Sequence, residues 1–139
     1  MRQQDPFTLV VYCATPRIEK SQTGFFSLEL FAGMCRFYLE GLLRVIEAVR
    51  REGHPLWVLY PSTVFLDEMN PDFPEYVAAK AAGEAMCVML EKKMKGLRIR
   101  RPRLPRVGTD QTASLVQSDT ADVVAVLLPL LREIGSAAL

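Results

Sequence analysis

Two side chains four residues apart carry the clearest chemical signal in this sequence. Tyr76 and Lys80 lie in the segment PEYVAAKAAGEA, which predicts a helix that begins near Pro74 and ends at Gly96. Side chains four apart project from one helix face, with Cβ atoms about 5 to 6 Å from each other. An ammonium group beside a phenol stabilises the phenolate and lowers the phenol pKa from its reference value of about 10. The pair therefore predicts a site of proton exchange with a substrate oxygen.

Two hydroxyl side chains precede this pair at the end of a predicted strand. The apolar run LWVLY, residues 56–60, predicts the strand, and Ser62 and Thr63 follow Pro61 directly. Reacting groups in open parallel sheets collect at the carboxyl ends of the strands. We therefore expect Thr63 or Ser62 to hold the substrate oxygen by a hydrogen bond.

Strands and helices alternate along the chain, and this order positions the site. Apolar runs predict strands over residues 7–14, 56–60 and 97–104, and helical spacing predicts helices over about 27–52, 74–95 and 119–134. Such an order predicts a parallel sheet of about three strands with right-handed crossovers. Both long helices would lie on one face, which leaves only the last helix to cover the other. We expect strand 7–14 to be covered on both faces.

Composition excludes several classes of protein. The 139 residues are 50% hydrophobic and 24% charged, as in a single soluble domain. A net charge of +1 creates no global attraction to nucleic acid or to an anionic membrane. No apolar run approaches the roughly 20 residues that span a bilayer, and we expect a cytoplasmic protein. Cys13, Cys35 and Cys87 have apolar neighbours and lack metal-ligand spacing, so we expect buried free thiols and no metal.

Several segments around the pair resemble the short-chain dehydrogenase/reductase family. They are VVYCATP, FYLEGLLRVIEAVRREG, the Ser-Thr strand with YVAAKAAGEA thirteen residues after Thr63, and GLRIRRPRLP, which together cover roughly residues 7–110. The Ser-Thr strand and the proline-containing strand look closest to its extended, epimerase-like or thioester-reductase-like branches. The resemblance implies an α/β, partial Rossmann-like three-layer fold with long flanking helices. It also implies NAD(P)-dependent hydride transfer to or from a carbonyl or secondary alcohol.

The resemblance also implies roles for individual residues. Tyr76 would be the catalytic acid/base, and Lys80 would lower its pKa and bind the ribose of NAD or NADP. Thr63 would orient the substrate carbonyl, with Ser62 in the less favoured register. Cofactor-binding residues would include Ala14 and Thr15, with Pro105 or Pro102 near the nicotinamide. The substrate would be a small-molecule carbonyl or a thioester-linked compound.

Two departures from the family pattern shape the functional prediction. Tyr38 occupies the place of an asparagine that supports a proton relay, and the glycine-rich GxxGxxG or GxGxxG turn that cradles a pyrophosphate is absent. We therefore expect residues 1–139 to form one truncated domain, the catalytic C-terminal half with an incomplete cofactor site. Such a half would act with a complementing nucleotide-binding half or as a homo-oligomer. The alternative is a catalytically silent fold remnant that serves as an oligomerisation or interaction module.

A basic segment allows two interpretations. Residues 92–106 hold eight Lys and Arg and no acid. They fit a solvated helix end followed by an edge strand, or capture of a phosphate group of NADP or of a coenzyme A thioester. Nucleic acid is not favoured as a partner, because the segment lacks interleaved aromatic side chains.

Overall fold

The computed structural model describes residues 6–20, 24–106 and 121–138. Five strands and five α-helices occur in this part of the chain, and a π-helical segment joins the first two helices. In chain order they are β1 (Leu9–Val11), α1 (Leu28–Cys35), the π-helical segment (Arg36–Gly41), α2 (Leu42–Val49), β2 (Leu56–Leu59), β3 (Ser62–Thr63), α3 (Phe65–Glu68), α4 (Pro74–Lys93), β4 (Leu97–Arg100), β5 (Arg103–Leu104) and α5 (Val123–Ala138).

A parallel sheet of three strands forms the centre of the fold. The strand order is β1-β2-β4, and Val10, Val58 and Ile99 lie side by side across it. Val58 and Ile99 are buried and Val10 packs against the same cluster, so this face of the sheet forms part of the hydrophobic core. The predicted α/β class with a short parallel sheet and long flanking helices is confirmed.

The third predicted strand is divided in two. β4 pairs with β2, and β5 pairs with β3 in a separate two-stranded parallel sheet. Pro61 and Pro102 lie at the division, where neither can donate a ladder hydrogen bond. The two segments remain paired across the division, because the Ser62 amide donates a hydrogen bond of 2.8 Å to the Pro102 carbonyl. The interruption carries Ser62 and Thr63 past the carboxyl end of the main sheet.

The first long helix is interrupted in its middle. Met34, Tyr38, Leu42 and Ile46 recur every four residues and are buried, which gives α1 and α2 one continuous core face. Between them, the π-helical turn leaves the carbonyl of Phe37 to accept a hydrogen bond of 2.5 Å from the Tyr12 hydroxyl. The helix ends at Val49, three residues before the predicted end, because Arg50 is extended.

The opposite face of the sheet is only partly covered. Val11 is 41% exposed, so the expectation that the first strand is covered on both faces is wrong. On this face α5 reaches β4 through an ion pair of 2.8 Å between Arg100 and Glu133, and it buries Ile134. The predicted start of the last helix at Asp119 lies outside the described residues. None of the helices in the described ranges is long and apolar enough to span a membrane.

Candidate active site

Tyr76 lies in the first turn of α4, inside a ring of aromatic side chains. Pro74 starts the helix, and Tyr76 is only 7% exposed. Its ring meets those of Tyr38 and Phe65 edge-on, with centroids 5.8 and 6.0 Å away. Burial raises the pKa of the Tyr76 hydroxyl, and a side-chain hydrogen bond with Thr63 acts in the opposite direction. The group is therefore held as a neutral phenol, the form that can donate a proton.

Thr63 is the hydroxyl that the fold brings to Tyr76. It lies on β3 and is 7% exposed, and its Oγ1 accepts a hydrogen bond of 3.2 Å from the backbone amide of Phe65. That contact fixes the side-chain rotamer next to the phenol. The fold therefore places the Thr63 hydroxyl beside the Tyr76 phenol at the carboxyl end of the parallel strands.

Ser62 belongs to a different network. Its hydroxyl donates to Glu84 Oε1 at 2.5 Å. Arg103 binds the same carboxylate with Nε and Nη2, at 3.0 and 2.8 Å, and also pairs with Asp67. The hydrogen bond from Arg103 is the main reason that the pKa of Glu84 lies below its ordinary value. This network ties β3, β5 and α4 together beside the site, and Ser62 is engaged in it.

Lys80 is buried one turn beyond Tyr76. Its Nζ donates to the carbonyl of Pro61 at 2.6 Å and lies 4.1 Å from the ring centre of Tyr38 and 4.8 Å from that of Tyr60. Burial lowers the pKa of Lys80 to about 8. Because burial dominates at Tyr76 as well, the pKa of the phenol is raised, opposite to the direction expected from Lys80 alone.

The residues expected near the cofactor are spread along the loops around this pair. Thr15 and the Tyr38 hydroxyl share a hydrogen bond of 2.5 Å, so Thr15 reaches the Lys80 environment through Tyr38. Ala14 and Pro105 are exposed, and Pro102 accepts the hydrogen bond from Ser62 described above. No glycine-rich turn for the pyrophosphate of a dinucleotide occurs in the sequence.

Sequence reasoning missed several residues that build the site. Tyr38 is more than a replacement for asparagine, because its ring and hydroxyl contact Lys80, Tyr76 and Thr15. Its spacing of four from Met34 on the helix was the available signal for burial on this face. The contact between Tyr60 and Lys80 had no such signal, because it joins a strand end to a helix distant in sequence. No group of three or more His, Cys, Asp and Glu that could hold a metal ion occurs in the described residues. The three cysteines are free thiols, but the expectation that they are buried is wrong for Cys13, which is exposed, and is met in full only by Cys87.

Solved structures share this fold. A short-chain oxidoreductase from Thermus thermophilus is 21% identical with a TM-score of 0.67, over 95% of this chain and 63% of its own. A short-chain dehydrogenase from Escherichia coli, complexed with NADPH, is 13% identical with a TM-score of 0.74, over 93% and 57%. An alcohol dehydrogenase from Thermococcus sibiricus, complexed with 5-hydroxy-NADP, is 23% identical with a TM-score of 0.62, over 73% and 44%.

These likenesses define the fold. This chain shares the fold of short-chain dehydrogenases over the part that it spans, which is about half the length of those structures. No family model matches the sequence, and no curated protein matches it.

Proposed function

We propose that the chain is the catalytic half of an NAD(P)-dependent oxidoreductase of the short-chain dehydrogenase/reductase type. The observation that carries the proposal is the buried Tyr76 phenol beside the Thr63 hydroxyl, with the amine of Lys80 one helical turn away in the same buried environment. Aromatic rings around the phenol exclude water, which suits proton transfer in a low-dielectric site. The fold shared with NADPH-bound and 5-hydroxy-NADP-bound dehydrogenases supports the same class of cofactor.

The residues would divide the reaction as follows. Thr15 and Lys80 would lie against a bound dihydronicotinamide dinucleotide, whose chemistry would be to supply the hydride for the carbonyl carbon of the substrate. Tyr76 donates its proton to the carbonyl oxygen, so the carbonyl becomes an alcohol and the phenol becomes a phenolate that solvent reprotonates. Thr63 holds the same oxygen by a hydrogen bond. Lys80 stabilises the phenolate and binds the cofactor ribose, which requires its amine to exchange part of its contact with Pro61 for the ribose hydroxyls.

The rest of the dinucleotide site would come from a second, nucleotide-binding half. The free edge of β1 supports this proposal. One edge of the strand pairs with β2, with hydrogen bonds at Thr8 and Tyr12, and no strand of the described residues pairs with the opposite edge. This chain covers 63% and 57% of two of the solved structures, so each of them contains a further segment that this chain does not match. The substrate is a small carbonyl or thioester-linked compound, as in the extended branches, and the assembly is cytoplasmic.

The first experiment measures cofactor binding and the mass of the chain in solution, which gives its oligomeric state. The chain is titrated with NADH and with NADPH by nicotinamide fluorescence, alone and mixed with a polypeptide that supplies a glycine-rich strand and helix. We look for that polypeptide in the reading frame that adjoins the codon for Met1. We expect binding only in the mixture. Absence of binding in every such mixture would contradict the proposal.

The second experiment tests the proton donor in the assembled enzyme. Tyr76→Phe keeps the ring and removes only the hydroxyl, so we expect turnover to fall roughly 10² to 10⁴-fold with the fold intact. Phe65, the ring partner of Tyr76, offers a matched control, because Phe65→Tyr changes the same cluster without removing the proton donor. Unchanged turnover in Tyr76→Phe would remove the assignment.

A second candidate function rests on exposed apolar side chains at the start of the first long helix. Phe25, Phe26, Leu28 and Phe37 are between 40% and 100% exposed. Such a patch suits a contact between copies of the chain, and the protein would then be an oligomerisation module without catalysis. A stable dimer that binds no nucleotide in any mixture would favour this function over the first.

A further inference from the structure

We propose that Tyr38 is a positioning residue for Lys80, which it holds with Tyr60 in an aromatic clamp. The clamp consists of the rings of Tyr38 and Tyr60, and the Lys80 amine lies 4.1 and 4.8 Å from their centres while it donates to the Pro61 carbonyl. Both distances are within the roughly 6 Å at which a ring face attracts an ammonium group. The catalytic meaning of the clamp rests on the proposed function, but its existence does not.

The ammonium needs such a clamp because it is buried. Lys80 is 7% exposed, and a buried ammonium without compensation favours its neutral form. One carbonyl cannot satisfy three N–H donors, and the two ring faces supply the remaining attraction. The titratable groups that act on the amine electrostatically are Cys87, Cys13 and Glu84, and burial raises the pKa values of the two thiols. Of these, Glu84 is already engaged by Arg103 and Ser62.

The helix geometry presents the Tyr38 ring to this amine. Tyr38 lies within the π-helical segment, where the carbonyl of Phe37 is turned to the hydroxyl of Tyr12. A methyl group at Gly41 would collide with the Tyr12 hydroxyl, so the contact of this hydroxyl with the π-helical turn requires a glycine at position 41. Thr15 fixes the far end of the ring at 2.5 Å. The backbone and the loop after β1 therefore both determine where the ring lies.

The decisive experiment changes the electrostatics of the ring and keeps its shape. Position 38 receives Phe, then 4-fluoro-, 3,5-difluoro- and 3,4,5-trifluorophenylalanine. The Cε signal of Lys80, labelled with ¹³C, is followed against pH by NMR. The other four lysines are exposed and serve as internal references: Lys20, Lys92, Lys93 and Lys95. The signal of Lys80 is assigned as the one that is missing from the spectrum of Lys80→Met. We expect the Lys80 midpoint to fall stepwise with each fluorine, by about one pH unit over the series, as the ring loses its attraction for the charged amine.

Two controls separate the clamp from general packing. The same fluorinated residues at Phe31, which packs on Phe26, should leave the midpoint within a few tenths of a pH unit. Thr15→Val, which removes the partner of the Tyr38 hydroxyl and leaves the ring, should shift the midpoint less than the trifluoro variant does. A midpoint that stays constant across the position 38 series, or that moves equally in the Phe31 series, would overturn the inference. The titration uses the chain without cofactor, so the clamp can fail or hold independently of hydride transfer.

Discussion

Replacing Lys80 with methionine should change how stability depends on pH. Burial lowers the pKa of Lys80 from 10.5 to about 8, and each pKa unit corresponds to about 1.4 kcal/mol. Below pH 8 the amine is charged in both the folded and unfolded states. Between about pH 8 and 10.5 the unfolded chain keeps a proton that the folded chain has lost, so the free energy of unfolding rises with pH. The total contribution of Lys80 across this interval is roughly 3 kcal/mol.

The measurement compares urea unfolding of the wild-type chain and Lys80→Met from pH 6.5 to 10.5. Burial raises the pKa values of Tyr38, Tyr60 and Cys87 so far that these groups stay protonated in the folded chain up to pH 10.5. The charge of Lys80 lowers the pKa of Cys87, so Lys80→Met moves that pKa further above this range and leaves its contribution nearly the same in both chains. The difference in unfolding free energy should therefore shift in favour of the wild type by most of those 3 kcal/mol. Lys92→Met, at an exposed position, should show no such shift. Parallel curves for wild type and Lys80→Met would refute the reasoning.

Three further predictions concern α4 and the side chains that contact it. A methyl group at Gly83 would collide with the Tyr60 hydroxyl, so Gly83→Ala should lower the unfolding free energy by about 1 to 3 kcal/mol in a denaturation assay. In the same assay Gly33→Ala should raise the unfolding free energy by roughly 0.5 to 1 kcal/mol, because a methyl group there meets open space. The Tyr60 hydroxyl is buried without a hydrogen-bond partner among the described residues, so Tyr60→Phe should keep or raise stability by up to about 1 kcal/mol, and a loss would reveal a hidden partner. Arg103→Gln should raise the pKa of Glu84 toward its ordinary value, a change that ¹³C NMR titration of the carboxyl detects and that an unmoved midpoint would contradict.

The sequence predicted those parts of the fold that depend on local pattern. Continuous apolar runs identified the strands, and a spacing of three and four residues identified the helices, because burial requires both patterns. Strand lengths were predicted less well. Residues 7–14 shrink to Leu9–Val11, and residues 97–104 divide at Pro102. The division depends on Pro61 and Pro102 falling opposite each other, which requires the register between two strands and is not visible in either segment alone.

The sequence alone could not decide which of the two adjacent hydroxyls, Ser62 or Thr63, lies beside Tyr76. Ser62 and Thr63 were both placed at the end of the strand, and Thr63 was favoured by a family spacing. The structure engages Ser62 with Glu84 and brings Thr63 to Tyr76. Nothing in the local pattern distinguishes these partners, since both lie on α4, eight residues apart. Arg103 of β5 binds the same carboxylate of Glu84 and so holds it where the Ser62 hydroxyl reaches it.

The composition of the buried face of α4 argues for chemistry rather than for packing alone. A helix that only needs to cover a sheet is most stable with apolar side chains toward the core. In its first two turns α4 buries Glu75, Tyr76 and Lys80 beside the apolar Val77 and Ala79. Burying a charged amine costs stability that a leucine or methionine at the same position would not cost. Burial moves the pKa of Tyr76 upward and that of Lys80 downward, and such a phenol and amine suit the acid and the cation of the proton transfer that we propose.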